Sequence, residues 1–224
     1  IAIIEAVAIT EDGGIIPTTS VGNSASFAIF AEKVIVEINT NLSPAFEGLH
    51  DIYIPSYRPT RQPIPLTEVD QRIGTQAINI DPSKIVGIVI NNEFHDSPST
   101  VTEPDDETQG IANHLIAFFE KEVAEERLPK NLGPLQAGIG SIANAVLTGL
   151  KDSNFEDLIM YSEVLQDCTF ELIDAGKMKF ASGSSITLSA KYGEKVFNNL
   201  EAYKDKLVLR PQEISNHPEI VRRL

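Results

Sequence analysis

The sequence predicts an α/β fold built on open, mainly parallel sheets. Short Ile- and Val-rich runs that read as buried strands alternate with segments whose apolar residues recur at helical spacing. A glycine turn joins strand to helix in the second half, and no repeat of fixed period interrupts the alternation.

Taken in order, "IAIIEAVAIT" is rich in Ile and Val and is followed by the turn residues "EDGG", which predicts a strand and a tight turn. "SVGNSASFAIFAEK" reads as a polar loop entering a short helix, and "VIVEIN" (Val34 to Asn39) as a buried strand. The proline-rich stretch from Pro44 to Pro65 denies regular structure to a long segment, and loops of that length are usually functional or lie at interfaces. "KIVGIVIN" (Lys84 to Asn91) returns to a buried strand. The polar, acidic "EFHDSPSTVTEPDDET" then reads as a domain boundary. In "QGIANHLIAFFEKEVAEERL", Ile111, Leu115, Phe118, Phe119 and Val123 fall at helical spacing, opposite Glu120, Lys121, Glu125 and Glu126. After it come the short strand and glycine turn "LGPLQAGIG", the helix "SIANAVLTGL" and the strand "FEDLIMYSEV". The last third predicts a helix near residues 169 to 175, a strand "ITLS", a helix "EKVFNNLEAY" and a strand "LVLRP".

Composition narrows the function. The net charge of −14, from 32 acidic against 18 basic residues, repels a phosphate backbone and disfavours nucleic-acid binding. No apolar run reaches the roughly 18 to 20 residues that span a bilayer. The single Cys168 excludes an internal disulfide framework and fits a reducing compartment: the cytoplasm, or the mitochondrion in a eukaryote. On its surroundings alone it reads as a small buried hydrophobe. His50, His95, His114 and His217 show no ligand spacing, so no metal site is expected. Both ends read as cut, since Ile1 already lies in a strand-like run and "HPEIVRRL" stops about one turn into a helix opened by Pro218.

"GIGSIANAV" fits the dinucleotide fingerprint G-x-G-x-x-A through Gly138, Gly140 and Ala143. Glu163 closes the next strand, about where such folds place a ribose-binding acid. Against that reading, the strand before the turn carries Gly133 and Pro134. Either way, the turn points backbone N–H groups outward beside a helix N-terminus, an arrangement that stabilises an anion. Glu163, at the end of the neighbouring strand, is expected to reach the same crevice, so that a carboxylate and an oxyanion hole lie side by side. The bland alternatives are a solvated surface charge for Glu163 and a helix cap for Asn216, just before Pro218.

"LGPLQAGIGSIANAVLTGL", "MYSEVLQD" and "LRPQEISNHPEIVRRL", with "TTSVGNSASF", "LSPAFEGLHDIYIP" and "QRIGTQAINIDPSKIVGIV" upstream, resemble the acetyl-CoA hydrolase/CoA-transferase family, the class I type that includes succinyl-CoA:acetate CoA-transferases. The resemblance runs over essentially the whole chain and implies an internal piece of a longer protein. Residues 1–96 would be the C-terminal part of a first α/β domain, 97–108 a linker, and 109–224 the N-terminal part of a second domain.

The resemblance implies that Glu163 of "YSEV" is the nucleophile that attacks an acyl-CoA thioester and is converted, through a mixed anhydride, into a glutamyl-CoA thioester. It makes the Ile139 amide, between Gly138 and Gly140, an oxyanion-hole donor to the CoA-bound acyl group, and Asn216 a side chain that positions that group. Such donors are each worth about 2.7 to 4 kcal/mol in comparable sites. Being neutral, they do not quench the carboxylate. The expected partners are coenzyme A as a substrate rather than a resident cofactor, acyl-CoA, and small carboxylates such as acetate and succinate, with a homodimer as the assembly. The family's second glycine-rich loop and its neighbouring lysine fall beyond Leu224, and no arginine lies between Arg72 and Arg127 to bind an acceptor carboxylate. "HDSPST" stands where relatives are often more basic. Two rival readings are an NAD-dependent oxidoreductase using Gly138 to Ala143, and an inactive piece whose acidic helix serves only in packing.

Overall fold

The computed structural model describes residues 1–93 and 105–224, which form two four-stranded, mainly parallel sheets and a small two-stranded one, with helices against them. Residues 94–104 lie outside the described residues, and with them most of the expected boundary segment. No helix among the described residues is long and apolar enough to cross a membrane.

The first sheet has the order β2-β1-β3-β4. β1 (Ala2–Ile9) turns through the 11–14 segment into the short antiparallel β2 (Ile15–Pro17). Helix α1 (Ser24–Phe30) carries the chain to β3 (Val34–Asn39), parallel to β1, and β4 (Ile85–Asn91) adds in parallel at the edge. Ile4, Ala6, Val34 and Val36 are buried in one core with Ala25 and Ala28 of α1. "KIVGIVIN" is a strand as expected, but not a buried one. It is the edge strand of its sheet, and although Ile85 packs on the core, Ile88 is 57% and Ile90 68% exposed.

The proline-rich stretch is irregular but packed. His50 pairs with Leu209 as an isolated parallel bridge, and Ile52 exchanges backbone hydrogen bonds with Thr75 at 2.7 and 3.0 Å. Gly74 allows that approach, since a Cβ there would stand 2.1 Å from the Ile52 carbonyl oxygen.

The second half opens with α2 (Asp106–Ala124). It starts a little before the residue 109 that opens the expected second domain, because Asp105 and Thr108 form a reciprocal cap, with the Asp105 carboxylate accepting from the Thr108 amide at 2.8 Å. The amphipathic reading holds with its face shifted. Ala112, Ile116, Phe119 and Val123 pack inward, whereas Ile111 and Phe118 are exposed. The buried set repeats at the 4-3-4 spacing of a seam against one neighbouring helix.

β5 (Pro134–Leu135) is two residues long, as Gly133 and Pro134 foretell. Then follow α3 (Ser141–Asp152), β6 (Leu158–Tyr161), β7 (Val164–Leu165) and α4 (Asp167–Asp174). Next comes a strand absent from the sequence reading, β8 (Met178–Gly183), which is central in the all-parallel order β10-β8-β6-β5. "MKFASG" carries a lysine, a serine and a glycine and has weak intrinsic strand preference; pairing on both sides makes it a strand. The expected strand "ITLS" shrinks to β9 (Ser185–Ile186), paired with β7 in a separate two-stranded sheet, because Ser189 is taken as the N-cap of α5 (Ala190–Phe197). That cap starts the helix earlier than "EKVFNNLEAY" suggests and leaves only a 3-10 turn at its end. β10 (Leu207–Leu209), α6 (Gln212–Ser215) and α7 (Pro218–Arg223) complete the chain.

Candidate active site

The second sheet delivers two segments to one place. β6 ends at Tyr161, and two residues on stands Glu163, half-buried, its carbonyl oxygen accepting from the Ser184 and Ser185 amides at 2.7 and 3.1 Å. From β10 the chain passes Arg210 and Pro211 into the single turn of α6. There Gln212 donates from Nε2 to Glu163 Oε1 at 2.8 Å, while its own amide donates to the Gly22 carbonyl at 2.9 Å. The glutamate is thus oriented by a side chain that is itself tied to the first half of the chain.

Below Gln212 the frame is stiff. Arg210 is 0% exposed and forms an ion pair with Asp51. It also donates to Ser182 Oγ at 3.0 Å and to the carbonyls of Val69 and Gln71 at 3.0 and 2.6 Å. The Asp51 carboxylate accepts in addition from the Ile73 and Gly74 amides at 3.0 and 2.6 Å. Burial lowers the Arg210 pKa, and the Asp51 charge opposes the shift. This cation is committed to the loop and is not offered to Glu163.

Glu163 and Asn216 line one cavity of about 440 Å³, with Gln136, Ser162, Ser215 and an apolar wall that includes Val221. Among the described lining residues none is cationic, so Glu163 faces neutral groups. Asn216 ends α6, and the N-cap of α7 is His217, whose Nδ1 accepts from the Glu219 amide at 3.3 Å. The N-cap role considered for Asn216 therefore belongs to its neighbour. Tyr161 also borders the cavity; its hydroxyl donates to the Ile214 carbonyl at 2.7 Å and is pushed up to about 12 by burial.

Gly138, Ile139 and Gly140 follow β5 as expected. Gly140, at φ +151°, is the N-cap of α3, and Ile139 is 72% exposed. Among the described residues the amides of these three make no hydrogen bond, and so remain available to an acceptor. They line an adjoining, mostly apolar cavity of about 540 Å³ rather than the Glu163 cavity itself. Gln136 borders both. The two cavities adjoin at Gln136. Ser162 Oγ donates to the Ala137 carbonyl at 3.0 Å, which ties the strand end before the glycine turn to the residue before Glu163.

Sequence reasoning missed Gln136, Ser162, Gln212 and Ser215. The last two were open to it in "QEISN", where Gln212, Ser215 and Asn216 stand at i, i+3 and i+4, one face of a helical turn. Cys168 is buried, with its thiol pushed up to about 12 by burial, and is no competing nucleophile.

Residues 1–90 match the acetyl-CoA hydrolase/transferase N-terminal domain. Over 223 residues, all of this chain, the sequence is 51% identical to the acetyl-CoA hydrolase of Schizosaccharomyces pombe, covering 42% of that protein. It is 49% identical over 224 residues to the succinyl-CoA:acetate CoA-transferase of Clostridium kluyveri, covering 41% of it. The chain is thus similar, along its whole length, to proteins of the acetyl-CoA hydrolase/transferase kind. It spans about 42% of the length of the curated relatives it matches. Among solved structures, RipA from Yersinia pestis superposes with a TM-score of 0.64 at 18% identity, over 99% of this chain and 42% of that one. The 4-hydroxybutyrate CoA-transferase of Porphyromonas gingivalis superposes with a TM-score of 0.60 at 19% identity, over 98% and 46%. Both bear on the fold alone and agree with the open, mainly parallel arrangement. Nothing in the fold or in these relatives supports the dinucleotide reading of the glycine turn.

Proposed function

We propose that the protein moves CoA between short acyl-CoA thioesters, acetyl-CoA and succinyl-CoA among them, and carboxylates, through a covalent intermediate on Glu163. Hydrolysis of acetyl-CoA is the same first half-reaction with water as the final acceptor. The observation that carries this reading is the Gln212–Glu163 hydrogen bond, which orients a carboxylate in a cavity lined by neutral donors. The names of its relatives, a hydrolase and a transferase, support the same pair of outcomes.

In this reading Glu163 Oε2, the oxygen not held by Gln212, attacks the thioester carbonyl. The tetrahedral oxyanion collapses with cleavage of the C–S bond, giving an acyl-glutamyl anhydride and CoA thiolate. The thiolate then attacks the Glu163 carbonyl carbon and expels the donor's carboxylate, leaving a glutamyl-CoA thioester. An acceptor carboxylate runs these steps in reverse, whereas water releases free CoA and restores Glu163. The oxyanion is served by Asn216 on one side and the Ile139 amide on the other, with the acyl carbon near Gln136. Charge develops there in the transition state, so fixed neutral donors lower the barrier more than they tighten substrate binding. CoA is a substrate, and the scheme calls for no resident cofactor. We further read residues 1–96 and 109–224 as parts of successive α/β domains in a homodimer.

The test is exchange of labelled acetate into acetyl-CoA by the whole protein. Glu163→Gln is expected to lose exchange by about 1,000-fold or more, and exchange at the wild-type rate in that variant would refute the covalent role.

A further inference from the structure

The segment "TTSVGNSASF" has no part in the proposed reaction, yet it reaches both sides of the Glu163–Gln212 contact. The Thr19 carbonyl accepts from the Ile186 amide at 2.8 Å, and Ser20 pairs with Ser185 as an isolated antiparallel bridge. Residues 19–21 therefore run alongside β9, the partner of the strand β7 that follows Glu163. From there a ring closes. The Val21 amide donates to the Ser184 carbonyl at 2.9 Å, and the Ser184 amide donates to the Glu163 carbonyl at 2.7 Å. On the other side, the Gly22 carbonyl accepts from the Gln212 amide at 2.9 Å, and the Gln212 side chain donates to Glu163 Oε1 at 2.8 Å. Four hydrogen bonds and the Val21–Gly22 peptide thus connect the backbone of Glu163 to its own carboxylate.

Gly22 closes this ring at φ +47°, a left-handed conformation that glycine adopts freely, asparagine tolerates and other residues adopt at a cost. Within 4 Å a Cβ there would meet only the Ser20 hydroxyl, at 3.6 Å, so a substitution acts through the backbone and not by crowding. Beside the ring, the buried Ser26 of α1 donates to the Glu213 carboxylate, a second tie to the turn that carries Gln212. We propose that Gly22 is a positioning residue of the Glu163 reaction: its left-handed backbone aims a carbonyl at the Gln212 amide, and through Gln212 it fixes one carboxylate oxygen of Glu163 so that the other faces the thioester. Ser26 steadies the same turn through Glu213. The inference rests on Glu163 being the nucleophile. Orientation of the attacking oxygen governs the chemical step, so disturbing the ring falls on kcat more than on KM.

The experiment uses the whole protein and measures kcat and KM for acetate exchange with acetyl-CoA. The variants are Gly22→Ala, Gly22→Asn, Ser26→Ala and Glu163→Gln, with Gly22→Ala and Ser26→Ala repeated in a Gln212→Ala background. Gly22→Ala and Ser26→Ala should each lower kcat about three- to tenfold with KM within about twofold. Gly22→Asn should recover most of the loss, because asparagine tolerates the left-handed backbone. In the Gln212→Ala background neither change should lower kcat by more than about twofold further, since the ring is already open. A role confined to general packing predicts the same fold-loss in both backgrounds. Wild-type kcat in Gly22→Ala, a loss undiminished by Gln212→Ala, or Gly22→Asn as slow as Gly22→Ala overturns the proposal; if Glu163→Gln is inactive, the Glu163 reading still stands. Wild-type exchange in Glu163→Gln overturns that reading first. If Gly22→Ala does not fold, Ser26→Ala decides by the same comparison: a kcat loss that vanishes in the Gln212→Ala background supports the proposal, and an equal loss in both, or none, overturns it.

Discussion

Replacing Arg210 by Met tests the frame that holds Gln212 in place. The guanidinium is wholly buried, pairs with Asp51 and donates to Ser182 and to two loop carbonyls. Met has a comparable length but no donors. It leaves the Asp51 carboxylate buried with only the Ile73 and Gly74 amides, and orphans the Val69 and Gln71 carbonyls. Breaking one side of a buried pair costs about 3 to 5 kcal/mol, most of it the penalty on the group left behind. Urea unfolding of the whole protein at pH 7, followed by far-UV circular dichroism, should show a loss of that size. The double variant Asp51→Ala/Arg210→Met should lose less than the sum of the two single changes, because the second removes a partner already missing. A loss below about 1 kcal/mol for Arg210→Met, or strict additivity, would refute the reasoning.

Gln212→Ala should lower kcat about tenfold at near-unchanged stability, because Glu163 keeps its place in the chain but loses the donor that orients it; unaltered steady-state kinetics would exclude an orienting role. His50 is fully buried, with Nε2 donating to the Thr18 carbonyl, and burial lowers its pKa to about 4 from 6.5. In the unfolded chain it takes up a proton as pH falls below about 6.5, while the folded chain does so only near 4. Stability is therefore fully present above that window and declines through it, by up to about 3 kcal/mol. His50→Gln should flatten unfolding curves measured at pH 7 and pH 5, and an equal slope in the variant would contradict the assignment. Cys168 should resist iodoacetamide at pH 8 until the protein unfolds; rapid labelling of the native state would show that the thiol is neither buried nor raised.

Strands whose apolar residues are continuous, such as Val34–Asn39, were legible because burial on both faces leaves that pattern. Ile85–Asn91 has the same pattern but lies at an edge, and no local signal distinguishes an edge from a centre. Met178–Gly183 lacks the pattern and is central, since its conformation is set by two neighbours far along the chain. The site divides in the same way. Glu163, Asn216 and the glycine turn were legible from motif and resemblance. The Gln212–Glu163 bond crosses 49 residues and the Arg210–Asp51 pair 159, distances at which periodicity carries no information. The Ser162–Ala137 bond, which ties the strand end before the glycine turn to the residue before Glu163, likewise joins residues 25 apart.

The central claim is a covalent bond between Glu163 and CoA. The whole protein incubated with acetyl-CoA and treated with borohydride should yield a peptide in which Glu163 alone is reduced to the alcohol, together with loss of activity. An unmodified Glu163 in protein that is turning over acetyl-CoA would contradict the account.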